Sequence, residues 1–413
     1  MWLAVAALLA SVGAAACSTA SSEAADTVVT GSGTEVPVRV VIRGEQARNA
    51  RRFLDGAVAC VRTLGAFEMV RGAVSAIDRP AAGQARADGG EIVIDRTPWW
   101  SSAPAMAPEL AAARAVARRA WTDAVGAASM AAWFVDGLVE YTARRAVEPL
   151  FQRSNLPPGF AMLELRYFGG YVPWRIRIRL DPAGTADLLP LYRRHSRVDP
   201  GAADDADADA VLTGKVVLTL NTLDRWIGRP AFDAVLAEFV RQARARPLAV
   251  ADFAAIASSV SGQDLSWMLP PMLTGRATYD YAVAELRSRD ADGHFETSVT
   301  VERRGDGEFT GAATPRTGPF DSGRGMMIQT TFADGRRVVD SWDGRDRRKT
   351  FTYRSGVRAV AAAIDPDMRL LLDLNRTNNG IAVEPQTRTA ATRWSVRWML
   401  WLEQVLLTYG ALA

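Results

Sequence analysis

The chain has 413 residues, 48% hydrophobic and 23% charged, with a formal net charge of +3. That composition is globular and the length allows two or three domains, each with its own core, while so small a net charge gives no nucleic-acid footprint. His195 and His294 are the only histidines and Cys17 and Cys60 the only cysteines, which excludes an H-E-x-x-H site, a zinc ribbon and an iron–sulfur cluster.

The first segment reads as an address. Residues 2–16, WLAVAALLASVGAAA, form an apolar run of signal-peptide length that ends in small residues directly before Cys17. Small residues before a cysteine resemble a bacterial lipobox, so residues 1–17 are expected to be a signal peptide and Cys17 a lipidation site. Ala14 stands where a lipobox usually has Leu, and no Lys or Arg precedes the run. The expected location is the periplasm or outer envelope of a bacterium, with lipidated Cys17 as the membrane attachment. Residues 18–35 are Ser/Thr/Ala/Gly-rich and read as a tether. With Cys17 removed or lipidated, Cys60 has no partner, and its place in FLDGAVACVRTL makes it a small core residue.

From residue 36 the pattern alternates. VPVRVVIRG is strand-like, Glu45 to Leu64 has helical period, and RGAVSAIDR and GEIVIDR are strand-like again. Residues 108–275 read as mostly helical. Pro108 and Glu109 open a helix that runs to about Asp123. Further helices are expected over about 130–147, 213–228, 230–245 and 250–258. The acidic run DPGAADDADADA (199–210) places Asp205, Asp207 and Asp209 at alternate positions, but a calcium loop would need a Gly that is missing and a Glu where Val216 stands. It reads as an exposed loop.

Residues 276–388 change character. Alternating segments are separated by Asp-Gly at 292–293, 306–307, 334–335 and 343–344, which predicts hairpins and an antiparallel β-sandwich. In IDPDMRLLLDLNRTNNG (364–380), Asp365-Pro366 predicts a turn and LLLDL a buried strand. The tail, 389–413, reads as an amphipathic helix with Trp394, Trp398 and Trp401 on one face. It is expected to dock that face on another domain; an interfacial membrane helix is the alternative.

Residues 114–145, RAVARRAWTDAVGAASMAAWFVDGLVEYTARR, resemble the active-site segment of the gluzincin metallopeptidases of the membrane-alanyl aminopeptidase type. In that family H-E-x-x-H is followed by a turn and W-L-x-E-G-x-A-E-Y; here Trp133, Gly137, Glu140 and Tyr141 fall in register. Residues 213–232 resemble the family's Y-x-K-G helix through Lys215, Leu223, Ile227, Gly228 and Phe232, and 252–267 resemble its S-G-x-D-L-x-W segment. The resemblance implies an α+β multidomain protein. A small N-terminal α/β part and a mainly helical thermolysin-like domain would make an aminopeptidase-like unit over 36–275. A β-sandwich and a C-terminal helix would follow.

The same resemblance locates what has been lost. The two zinc histidines fall on Arg114 and Arg118, the general-base glutamate on Ala115, the third ligand on Asp136 and the catalytic tyrosine on Thr213. Zinc needs lone pairs, which a guanidinium lacks. No cofactor is therefore expected, and the implied protein is a non-catalytic aminopeptidase-like protein with a binding or scaffold role and a peptide or protein partner. Arg114 and Arg118, one turn apart, are expected either to pair with Asp136 across two helices or to bind a carboxylate or peptide C-terminus. Two alternatives stay open: a hydrolase working through Asp123, Asp136 and Glu140, and a structural envelope subunit with a closed cleft.

Overall fold

The computed structural model describes residues 27–33, 36–42, 50–69, 74–79, 91–95, 107–126, 130–151, 160–164, 175–179, 192, 206–311 and 325–383. The readings of 1–17, of Cys17 and of the helix at 389–413 lie outside these residues. Within them the chain is a mixed α and β protein.

An N-terminal sheet has the order β1-β2-β3-β4, with β1 at Thr27–Gly33, β2 at Val36–Ile42, β3 at Val74–Arg79 and β4 at Glu91–Asp95. β1 and β2 are antiparallel, whereas β2–β3 and β3–β4 are parallel. The helix α1, Ala50–Gly65, lies between β2 and β3 as the crossover that parallel neighbours require. Its buried residues include Phe53, Leu54, Ala57, Cys60, Val61 and Leu64, spaced at helical period on one face. β1 corrects the tether reading of 18–35. The β-branched TVVT within that segment pairs with β2, and Gly31, Ser32 and Gly33 continue the same strand against Val38, Pro37 and Val36.

Six further helices among the described residues carry the second layer. They are α2 (Ala107–Val125), α3 (Ala132–Phe151), α4 (Ala206–Ile227), α5 (Arg229–Ala245), α6 (Val250–Ser261) and the short α7 (Leu269–Leu273). α2 packs between α1 and α3, and α3 packs on α4. Two glycines set how closely these helices cross. A Cβ on Gly56 of α1 would lie 2.1 Å from the Glu109 carbonyl oxygen of α2, and one on Gly137 of α3 would lie 2.3 Å from Val216 Cγ1 of α4. The helical core is aromatic at its centre. Phe134, Phe239 and Phe253 meet edge-on with centroids 5.3–6.3 Å apart, and Trp121 adds a tilted contact to Phe239 at 6.4 Å. Buried Trp121 donates its indole N–H to Thr142 Oγ1 at 3.0 Å, so the large ring leaves no unpaired donor.

Two readings in this region change. Residues 206–210, expected as part of an exposed acidic loop, form the first turn of α4. Negative residues are favourable at a helix N-terminus, so the run that looks like a solvated loop also suits a helix start. The stretch read as mostly helical also contains an antiparallel pair, β5 (Phe160–Glu164) with β6 (Arg175–Arg179).

After α7 the chain is β-rich. β7 (Tyr281–Ala291), β8 (His294–Arg303) and β11 (Arg348–Ser355) form one antiparallel sheet of order β11-β8-β7. β9 (Met326–Phe332), β10 (Arg337–Trp342), β12 (Ala359–Ile364) and β13 (Gly380–Ala382) form another, of order β10-β9-β12-β13. β9 buries Met326, Ile328, Thr330 and Phe332, every second residue, as a one-sided strand must. The sheets touch through Tyr353 of β11, whose hydroxyl donates to Asp340 Oδ2 of β10 at 2.5 Å and whose ring meets Phe332 of β9 edge-on.

Asp-Gly behaves in three ways here. Asp292-Gly293 and Asp334-Gly335 close the β7–β8 and β9–β10 hairpins, with φ of 49° and 84° at the first pair. Asp343-Gly344 carries the chain from β10 in one sheet to β11 in the other, and Asp306-Gly307 lies in an irregular stretch after β8. The LLLDL run is buried but is not a strand: Leu370, Leu371 and Leu372 form a turn region that packs on α4. Thr222 Oγ1 accepts the Leu371 N–H at 3.1 Å, and Arg225 donates to the carbonyls of Asp367 and Met368. Trp226, Trp267 and Phe309 add an aromatic cluster between helices and β-rich part, with centroids 5.1–5.3 Å apart. Among the described residues no helix is long and apolar enough to cross a membrane.

Candidate functional site

The residues singled out by sequence converge on the seam between α2 and α3. Arg114 and Arg118 stand one turn apart on α2; Asp136, Glu140 and Arg144 stand one turn apart on α3. The helices match turn for turn in opposite senses. Arg118 Nη1 donates to Asp136 Oδ1 at 2.7 Å. One turn back along α2, Arg114 meets Glu140 in a two-pronged pair, Nε to Oε2 at 2.5 Å and Nη2 to Oε1 at 2.6 Å. Arg144 donates to the same Glu140 carboxylate from within α3.

Arg114 therefore takes Glu140, not Asp136, and Glu140 is not the plain scaffold residue its motif position implies. The sequence carried a signal for this. Asp136, Glu140 and Arg144 recur at intervals of four, which puts a carboxylate opposite each arginine of an antiparallel neighbour.

The two pairs differ in environment. The Arg118 side chain is 58% exposed and makes one hydrogen bond to Asp136, leaving it the value of a surface pair. Glu140 is buried between two guanidiniums, with Arg144 only 4% exposed. Burial alone would raise the Glu140 pKa, but Arg144 and Arg114 outweigh it and hold the carboxyl at about 2. The charged trio is a two-point bidentate clamp with a second arginine behind it, the arrangement in which a buried carboxylate stays ionised.

The other face of α3 is tied as firmly. Tyr141 donates to Asp224 Oδ2 of α4 at 3.0 Å, Arg229 reaches the same oxygen at 3.0 Å, and Arg145 pairs with Asp233 of α5 at 2.6 Å. Arg145 also lies over the Phe67 ring at 5.3 Å. Lys215 of α4 is 2% exposed and its ammonium donates to the Gly275 carbonyl; burial lowers its pKa to about 8.

The remaining predicted positions do not join the cluster. Ala115 is half-buried and packs against the core. Thr213 is half-buried on α4 and has no hydrogen bond to either arginine among the described residues. Asp123 pairs with Arg119 on the exposed side of α2. His294 opens β8, with Nε2 3.7 Å from Glu296 and far in sequence from the seam. The zinc ion that the resemblance would put here does not fit this donor set. Arg114 and Arg118 have no lone pair to give, and Asp136 is already engaged by Arg118. Among the described residues no three His, Cys, Asp or Glu side chains are grouped as a metal site would require.

No protein-family model matches the chain, and no curated protein matches it. Among solved structures it is similar to aminopeptidase A of Legionella pneumophila, solved in complex with aspartic acid, at 12% identity and a TM-score of 0.49. The match covers 85% of this chain and 38% of that one, so this chain spans well under two thirds of the neighbour's length. At that identity and that TM-score the likeness assigns neither family nor activity.

Proposed function

We propose that this chain is an exported, non-catalytic aminopeptidase-like protein with a scaffold or binding role in the bacterial cell envelope. The proposal includes the gluzincin relationship, the thermolysin-like reading of 36–275 and the β-sandwich reading of 276–388. The observation that carries it is the ion-pair seam. At the positions where the resembled family holds zinc, Arg114 and Arg118 are paired with Glu140 and Asp136 of the next helix. A metal cross-link between two helices is replaced by a salt-bridge cross-link. Export and lipidation at Cys17 rest on the N-terminal sequence alone.

A binding role has one specific support, the exposed Arg118, whose single bond to Asp136 leaves donors for a carboxylate or a peptide C-terminus. The hydrolase alternative finds its three carboxylates in ion pairs with Arg119, Arg118 and Arg114. Glu140, at about 2, cannot act as a general acid near neutral pH.

Equilibrium dialysis against zinc tests the replacement. The expected result is no stoichiometric zinc in the wild type. One zinc per chain, lost on Asp136→Ala, would overturn the proposal.

A further inference from the structure

The sheet β11-β8-β7 presents an open polar groove of about 630 Å³, lined by Arg287, Arg289, Glu296, Ser298, Thr352 and Arg354 together with Thr297 and Tyr353. The strand register explains its composition. Arg289 of β7, Glu296 of β8 and Arg354 of β11 lie in one cross-strand row, and Arg287, Ser298 and Thr352 lie in the next. Side chains in adjacent rows of equal parity share a face of the sheet.

Cross-strand arginines beside a glutamate ordinarily pair with it, yet here neither flanking arginine does. Arg289 and Arg354 have no ion-pair or hydrogen-bond partner among the described residues. Glu296 faces His294 at 3.7 Å, and Arg287 is paired with Glu285. By contrast Arg348, on the same strand and the same face as Arg354, is paired with Glu302. The two uncommitted guanidiniums start roughly 10 Å apart, two strand spacings, with Ser298 in the next row of the strand between them and Thr352 in the next row of the Arg354 strand. No aliphatic side chain lines the groove.

We propose that this groove binds a small hydrophilic ligand through one oxyanion, a carboxylate or phosphate, held by Arg289 and Arg354 over Ser298 and Thr352. Glu296, on the central strand between the two arginines, keeps the anion off its own row and towards Ser298 and Thr352, and accepts a hydroxyl from the rest of the ligand, which favours hydroxylated acids of the sugar-acid class. The site is separate from the α2/α3 seam and does not depend on the proposed ancestry.

Calorimetric titration of the full chain in chloride buffer with inorganic phosphate and with D-glucuronate tests this. Saturable binding of at least one probe is expected. Arg289→Gln and Arg354→Gln should each weaken it about tenfold, the strength of a charge-assisted hydrogen bond. Both positions are exposed, so the melting temperature should hold. Arg348→Gln should leave affinity within about twofold, and Glu296→Gln should tighten phosphate by removing a like charge. No saturable binding of either probe, undiminished affinity in the Arg289→Gln and Arg354→Gln variants, or an equal loss with Arg348→Gln would overturn the proposal.

Discussion

Glu140 is the residue on which the α2/α3 seam turns. Replacing it with Gln leaves Arg144 buried and Arg114 partly buried without their shared anion, a loss of the kind that costs roughly 3–5 kcal/mol. Arg118→Ala breaks a mostly exposed pair and should cost under about 1 kcal/mol. Urea unfolding at pH 7 distinguishes the two. The pH dependence has a definite sign. The folded pKa of Glu140 lies below its usual value, so its contribution is present above about pH 4.5 and is lost as pH falls towards 2. The gap between wild type and Glu140→Gln should therefore narrow over that window, and a constant gap would remove the charge explanation. The sequence made this cluster partly legible. Arg114, Arg118 and Asp136 could be named because a motif located them. Glu140 falls in register with the motif without a metal-ligand role there, and the partner of Arg114 depends on the helix crossing, which a motif does not encode.

At the scale of elements, the helix crossings rest on two small residues. Gly137→Ala puts a methyl 2.3 Å from Val216 Cγ1 and should destabilise the protein by about 1–3 kcal/mol. Adding Val216→Ala should recover only part of this, because the Val216 Cβ itself lies 2.4 Å away. Thermal unfolding of the single and double variants checks it; full recovery, or none, would show that the crossing is set elsewhere. Long periodic helices such as α4 and α5 were readable, and so were strands β7–β11 from their alternation. What escaped were elements whose local signals conflict with their surroundings. The tether's Gly and Ser mask the β-branched TVVT of β1. LLLDL has the composition of a strand, but its backbone is bound to Thr222 and Arg225 of α4, leaving no ladder for it to join. Asp-Gly marks a tight reversal, and the same reversal serves as hairpin or as passage between sheets; the register of distant strands decides which.

On the scale of the molecule, Thr222, Arg225, Trp226, Trp267 and Phe309 join the helices to the β-rich part, and buried Asp373 ties the turn region beyond β12 to β7. Asp373 accepts the Tyr281 N–H, the Asn375 N–H and the Asn379 amide. Burial raises its pKa to about 6 despite those donors. Its folded value lies above its unfolded one, so ionisation opposes folding, and its contribution to stability should fall as pH rises from about 4 to 6. Urea midpoints across that range should show a decline attributable to Asp373, absent in Asp373→Asn, whose amide lowers stability at every pH by misplacing one donor. Under the proposed function, the Arg114–Glu140 and Arg118–Asp136 pairs stand where the resembled enzymes hold a metal. The most direct test of that account is hydrolysis of a panel of aminoacyl-4-nitroanilides by the purified chain, with added zinc and with chelator. The account predicts rates at the buffer level in both conditions; zinc-dependent cleavage that chelator abolishes would contradict it.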